Sequence, residues 1–243
     1  MRNSSDTSQG LDIYLKELYK LDENFDGLLK ESRFLSDKLN KTSISLSKGE
    51  GKILSSLVAA HNCKSFVEVG TLTGYSALWI LQGLADNGEL FTCEKDDRHA
   101  QAALSIFEKF HTYAEKGLPG FKGKRAHLFE GDAEETLKQI SEKGPFDGIF
   151  IDGNKAAYCR YLDWAEVNLK KGGIIIGDNV FCGGAVWGND PSGRFTENQA
   201  RVMREFNSRL ADPDKYLSAI WLPKTPATPV INTLIEDYLM ISI

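Results

Sequence analysis

The 243-residue chain is poor in cysteine and histidine and has no long apolar run, and each shortage removes a class of function. Its four cysteines, Cys63, Cys93, Cys159 and Cys182, lie too far apart for a zinc ribbon or a redox pair. They read as reduced, mostly buried thiols. The histidines His61, His99, His111 and His127 include no pair at helical ligand spacing, so a histidine metal site is not expected. No apolar stretch approaches the roughly 20 residues needed to span a bilayer, and Met1-Arg2-Asn3-Ser4-Ser5-Asp6 carries no apolar signal segment. A cytoplasmic protein without a membrane partner is the expectation. Basic blocks are missing too. The 29 Lys and Arg against 34 Asp and Glu give a net charge of −5 and are scattered, which makes nucleic acid a poor partner. With no repeat and no Pro- or Gly-rich linker, residues 1–243 read as one domain: a loose 1–10, a helical extension over 11–62 and an α/β core over 63–243.

Short β-branched or aromatic runs recur from Phe66 onward: Phe66-Val67-Glu68-Val69, Leu90-Phe91-Thr92-Cys93, His127-Leu128-Phe129, Gly148-Ile149-Phe150-Ile151 and Ile174-Ile175-Ile176. Each has the length of a buried strand. Helical patterns separate them, opened by Asp132 or Thr196 and, over residues 155–171, closed by Lys170-Lys171-Gly172-Gly173. Strands alternating with helices predict an α/β fold with a doubly wound, mostly parallel sheet. Ala219-Ile220-Trp221-Leu222 and Tyr238-Leu239-Met240-Ile241 lack a helix between them and predict an antiparallel pair at the C-terminal edge. Upstream, helices are predicted over residues 25–39 and 48–61, the second with Ser47 and Glu50 at capping-box spacing.

The acidic residues are placed in a pattern. Glu68 and Gly70 close the first predicted strand, Glu94 the second, Asp132 the third, Asp152 the fourth and Asp178 the fifth. In an open α/β sheet these positions share the edge where ligands bind, and crowded carboxylates there call for a cation. Asp132 reads equally well as a helix N-cap.

Glu68-Val69-Gly70-Thr71-Leu72-Thr73-Gly74-Tyr75-Ser76 spaces its glycines Gly-x-x-x-Gly and so lacks the dinucleotide fingerprint. The carboxylate of Glu68 would repel a pyrophosphate and attract a ligand bearing an ammonium and a sulfonium. Glu94 ends the following strand, where an acid accepts from ribose hydroxyls, and Ser76 opens a helix able to hold a carboxylate.

Together with Gly131-Asp132-Ala133, Ile151-Asp152-Gly153-Asn154-Lys155, Tyr158 with Tyr161, and Gly177-Asp178-Asn179, this loop resembles the cation-dependent class I O-methyltransferases related to the catechol and caffeoyl-coenzyme-A enzymes. The likeness runs over residues 44–187 and weakly through the final strands. It implies a Rossmann-like methyltransferase fold with a seven-stranded sheet, an S-adenosylmethionine cofactor and a homodimer. It implies that Leu46, Glu68, Gly70, Thr71, Ser76, Glu94, Ala133 and Asp152 contact the cofactor. Asp152, Asp178 and Asn179 would bind one magnesium, manganese or calcium ion, a choice suited to an all-oxygen ligand set.

The expected reaction is methyl transfer to a hydroxyl of a catechol-like or phenolic small molecule, with Asp152 and Lys155 as catalytic residues. Lys155 would act as a base or as an ammonium beside the reacting oxygen. Phe181, Trp187 and Tyr158 are candidate walls of an aromatic pocket, and residues 183–194 a candidate gate. Three features depart from the family pattern: Gly153-Asn154, Gly183, and residues 224–236 with Pro226 and Pro229, longer than the usual turn between the last strands. Two other classes are weighed against the transferase: an NAD-dependent oxidoreductase, disfavoured by the glycine spacing and Glu68, and a non-catalytic ligand-binding protein, disfavoured by the intact Asp152, Lys155, Asp178 and Asn179 set.

Overall fold

Alternation of apolar side chains along five strands divides the interior into two layers. In β1 (Ser65–Val69) Phe66 packs on one face of the sheet while Val67 and Val69 pack on the other. The same alternation runs through β2 (Glu89–Glu94), β4 (Phe146–Ile151) and β5 (Leu169–Gly177), where Leu90, Phe150, Ile174 and Ile176 oppose Phe91, Ile149, Ile151 and Ile175. Because both faces are buried, the strands are near-continuous apolar runs, as parallel sheets require. Full burial of each such side chain contributes roughly 1.5–3 kcal/mol. The computed structural model describes residues 21–41, 46–219 and 230–233.

Among the described residues the strands form one sheet in the order β3-β2-β1-β4-β5-β7-β6, with β3 at Arg125–Glu130, β6 at Leu217–Ala219 and β7 at Val230–Thr233. The first five run parallel, and β7 runs antiparallel to β5 and β6. From β1 the chain winds outward through β2 and β3, then crosses back to place β4 on the other side of β1. Strand order therefore reverses between β1 and β4, the position where an open sheet leaves a crevice beyond its carboxyl ends.

Helices α1 (Glu23–Lys38) and α2 (Lys48–Ala60) match the expected pair, and Ser47 and Glu50 close a reciprocal capping box. Phe25, Leu28 and Leu29 of α1 pack into the first layer, the Phe25 ring edge-on to Trp79 at 5.3 Å between centroids. Helices α3 (Tyr75–Gly83) and α4 (Asp97–Glu115) lie in the same layer. Helices α5 (Ala133–Ser141), α6 (Tyr158–Asn168) and α7 (Glu197–Leu210) fill the second. No helix among the described residues is long and apolar enough to cross a membrane.

Two boundaries differ from expectation. The helix predicted to run to Lys171 stops at Asn168, and Lys170-Lys171-Gly172-Gly173 belong to β5 instead of a helix stop. There Leu169 registers against Phe146 in the sheet and Lys170 pairs with Asp147 at 2.7 Å, so sheet pairing takes the place of the last predicted helical turn. At the C-terminal edge, β7 comes from within residues 224–236, which the sequence presented as an overlong connection. Ala219 ends β6, while Ile220-Trp221-Leu222 and Tyr238-Leu239-Met240-Ile241 lie outside the described residues, as do residues 1–10.

Candidate active site

The crevice beyond β1 and β4 is a cavity of about 610 Å³. Gly70 is what lets its two sides meet. At φ +97° it sits where side chains are strained, and a Cβ there would lie 2.2 Å from the carbonyl oxygen of Asp152. The first loop is thus pressed against the end of β4, and the Asp152 amide donates to the Val69 carbonyl at 2.9 Å.

On the β1–β2 side, Glu68 is fully buried and accepts from the Ser76 and Thr92 hydroxyls, each at 2.6 Å. Burial pushes its carboxyl up to about 7, against the pull of those two hydroxyls and with the help of negative charge on Asp152 and Glu94. Glu94 accepts from the backbone amides of Leu72 at 2.8 Å and of Lys95 and Asp96 at 2.9 Å. His99 stands 3.5 Å from it, 7% exposed, with Nε2 buried and without a hydrogen-bond partner. Asp132 caps α5 by accepting from Glu134 and pairs with Lys95 at 2.9 Å. Its N-cap reading is therefore realised, at the cavity wall.

On the β4–β5 side, Asp178 is 8% exposed and its carboxyl is pushed up to about 7, first by burial and then by the charge of Asp152. Its carboxylate meets the Asn179 amide nitrogen at 3.3 Å. Asn179 holds a left-handed backbone at φ +54°, which asparagine tolerates and which turns the chain sharply after β5. Lys155 opens a short 3-10 turn capped by Asn154, and its Nζ reaches the Asp178 carbonyl at 2.9 Å, Asp152 Oδ1 at 3.4 Å and the Tyr158 hydroxyl. The Tyr158 hydroxyl lies 2.9 Å from the carbonyls of both Ile151 and Asp178, so it ties the ends of β4 and β5 together from below.

Of the residues the sequence nominated, Leu46, Gly70, Glu94, Ala133, Asp152, Lys155, Asp178 and Asn179 line the cavity. Glu68, Thr71 and Ser76 do not line it. Glu68 and Thr71 are buried and Ser76 is half-buried, the three joined through Thr92, whose hydroxyl is 2.5 Å from that of Thr71. The candidate pocket walls Phe181, Trp187 and Tyr158 do not line it either. Tyr158 is core, while Trp187 is 62% exposed and packs edge-on to Phe181. Of residues 183–194 only Arg194 reaches the cavity. Sequence reasoning missed Glu50, Leu72, His99, Arg194 and Phe195. Glu50 was read only as a helix cap, yet its charge also bears on Asp178. The signal for Arg194 and Phe195 was their place just before the Thr196 capping box, which aims a helix entrance at the sheet edge.

Among the described residues no three His, Cys, Asp or Glu side chains cluster as a metal site. Asp152, Asp178 and Asn179 offer two carboxylates and an amide instead. That set is chemically suited to a hard divalent cation, and the buried, charge-crowded Asp178 carboxyl is the group such a cation would relieve. Cys63, Cys93, Cys159 and Cys182 are free; Cys93 lines the cavity, and burial pushes Cys63 and Cys93 up to about 12.

The chain is similar to known proteins. The O-methyltransferase family profile matches residues 21–223. A catechol O-methyltransferase of Niastella koreensis is 32% identical, over 83% of this chain and 85% of its own length. Caffeoyl-CoA O-methyltransferase 2 of Petunia hybrida is 29% identical, over 75% of each chain. An O-methyltransferase from Bacillus cereus, solved in complex with SAH, superposes with a TM-score of 0.73 at 26% identity, covering 90% of this chain and 93% of that one. TomG from Streptomyces achromogenes, an O-methyltransferase involved in tomaymycin synthesis and solved with SAM, gives 0.72 at 26% identity, covering 90% and 92%.

Proposed function

The chain belongs to the O-methyltransferase family, and from that premise we propose that it moves the methyl group of S-adenosylmethionine to a hydroxyl of a catechol-like phenol, with one divalent cation held by Asp152, Asp178 and Asn179. The observation that carries this reading is geometric: one cavity is lined by Asp152, Asp178 and Asn179 on its β4–β5 side and by Glu94 on its β1–β2 side, with the buried Glu68 joined to Thr92 next to it. A positive group arriving beside either buried carboxyl, Glu68 or Asp178, favours its ionised form. A sulfonium and ammonium suit the β1 side, where Glu68 lies beneath the loop that Gly70 presses against β4. A divalent cation suits the β5 side.

Glu94 is held by three backbone amides, so its carboxylate is fixed in place for ribose hydroxyls. Leu46, Ala133 and Leu72 supply apolar wall around it. When bound, the cation favours the ionised form of an acceptor hydroxyl. Transfer breaks the methyl–sulfur bond as the oxygen–methyl bond forms, and the hydroxyl proton leaves to solvent. Lys155 Nζ lies against three acceptors, the longest contact being the 3.4 Å one to Asp152 Oδ1, so an ammonium there would stabilise negative charge on the reacting oxygen by turning that N–H from Asp152 to it. Most of the remaining rate comes from holding oxygen, methyl and sulfur in line. A homodimer in the cytoplasm, built from one domain per chain, completes the reading on family likeness.

The test is a product screen. The protein is incubated with magnesium, methyl-labelled S-adenosylmethionine and a panel of ortho-dihydroxy aromatics, and products are identified by mass spectrometry. A labelled methoxy product is expected from at least one catechol. Label appearing only on amines or thiols would sink the reading.

A further inference from the structure

The cations around the cavity are not equivalent. Lys95 is 2.9 Å from Asp132 and Lys155 is 3.4 Å from Asp152, so both are matched by carboxylates of the chain itself. Arg194 also lines the cavity, and among the described residues no carboxylate comes within ion-pair distance of its guanidinium. Its nearest charge-sensitive neighbour is an aromatic ring, that of Phe195, 5.7 Å from guanidinium carbon to centroid.

The segment that presents this pair is braced. Asp190 accepts from the backbone and hydroxyl of Ser192 at 3.0 and 2.5 Å and from the Phe195 amide at 3.0 Å. The Ser192 hydroxyl accepts from the Arg194 amide at 3.2 Å, and the Thr196–Gln199 capping box fixes the next residue to α7. The Phe195 ring reaches across to the turn after Asn179: a Cβ on Gly183 would lie 3.8 Å from it. Arg194 and Phe195 therefore sit at the β5 end of the cavity, where the acceptor is read to lie.

Resting on that reading of the site, we propose that Arg194 and Phe195 select an acceptor whose catechol ring carries a carboxylate on the edge opposite the hydroxyls. Phe195 would flank the ring, and the guanidinium would take the carboxylate in a two-pronged hydrogen bond, the geometry in which arginine outperforms lysine. In that reading the two hydroxyls go to the cation at Asp152 and Asp178, and Glu50 adds negative charge to the same cavity. The carboxylate must therefore face Arg194 at the mouth, which leaves the hydroxyls pointing toward Asp178 and Lys155. Charge alone thus orients the ring.

The experiment compares 3,4-dihydroxybenzoate with its methyl ester, which keeps the ring and removes the charge, using protein with magnesium and S-adenosylmethionine. In the unaltered protein the acid is expected to have at least a tenfold higher kcat/KM than the ester. In Arg194→Gln that ratio falls at least tenfold through KM, and Arg194→Lys recovers only part of it. Calorimetric binding of acid and ester with S-adenosylhomocysteine and magnesium present gives the same comparison without turnover, and the acid's affinity alone should drop tenfold. A ratio unchanged within twofold in Arg194→Gln overturns the assignment while leaving catechol methylation intact. A coenzyme-A thioester of the same acid whose KM responds to Arg194 when the free acid's does not would overturn it in favour of a phosphate. Unaltered protein that neither methylates nor binds any catechol defeats the reading of the site and this assignment together.

Discussion

The two ends of the cavity are built on opposite plans. At the β1–β2 end the carboxylates are held by the chain itself: Glu68 accepts from two hydroxyls, Glu94 from three backbone amides, and Asp132 pairs with Lys95, while among the described residues His99 Nε2 has no partner. At the β4–β5 end the Asp178 carboxylate accepts from the Asn179 amide and crowds against Asp152, and among the described residues Arg194 has no acid within ion-pair distance. A preassembled surface suits a cofactor of constant shape. An underpaired one suits groups that arrive with their own charge, a cation and an acceptor.

The largest effect should come from the underpaired end. Asp178→Ala removes a ligand whose cation is worth several kcal/mol in the transition state, so methyl transfer is expected to fall on the order of 1000-fold. Calorimetry with S-adenosylhomocysteine should find cofactor affinity within threefold of the unaltered protein, and a parallel collapse of cofactor binding would erase the contrast between the ends. Lys155→Met is expected to lower kcat about 100-fold with little change in cofactor affinity, as for loss of one preorganised donor. Equal turnover would make the lysine a structural tie between β4 and β5.

Two changes sharpen the preassembled end. Gly70→Ala forces a Cβ into the Asp152 carbonyl at positive φ, and a loss of about 4 kcal/mol in urea denaturation is expected. Glu68→Gln tests the buried acid through pH. The native carboxyl is raised to about 7 from an ordinary 4.5. Below 4.5 native and unfolded chains are both protonated there, and the site favours folding fully. Between 4.5 and 7 only the native chain keeps the proton, so stability falls as pH rises, and above 7 the loss is complete. Replacing the acid removes that slope. Cofactor-free Glu68→Gln should gain on the order of 3 kcal/mol relative to the unaltered protein between pH 4.5 and 8. Parallel pH profiles would mean that Glu68 stays ionised without a ligand.

The smallest effect belongs to the brace of the acceptor side. Thr196→Ala removes the α7 cap and should cost about 1 kcal/mol in thermal unfolding. It should also raise KM for acceptor more than KM for cofactor, because Arg194 and Phe195 lead directly into that cap.

What could be read from the chain follows what is local. The five parallel strands, the carboxylates that close them, the capping box at Ser47 and the helix start at Thr196 were legible because each depends on a few neighbouring residues, whereas β7 was not. The end of α6 was not either, because Phe146 and Asp147, distant in sequence, meet Leu169 and Lys170 in the sheet. Glu68, Thr71 and Ser76 were recognised as one set, but their depth depends on Thr92 of the neighbouring strand, whose hydroxyl fills the space between Glu68 and Thr71. Trp187 and Phe181 looked like pocket walls by composition. Positive φ at Cys182, Gly183 and Gly184 turns that segment away and leaves Phe195 at the cavity.

The central claim, a fixed cofactor end facing an end completed by a cation, is tested most directly by chelation. Protein treated with EDTA and desalted into metal-free buffer is assayed for methyl transfer from labelled S-adenosylmethionine to a catechol, while S-adenosylhomocysteine binding is followed by calorimetry. Transfer should vanish and return on adding magnesium, with cofactor binding retained throughout. Full transfer in the metal-free buffer would contradict the account.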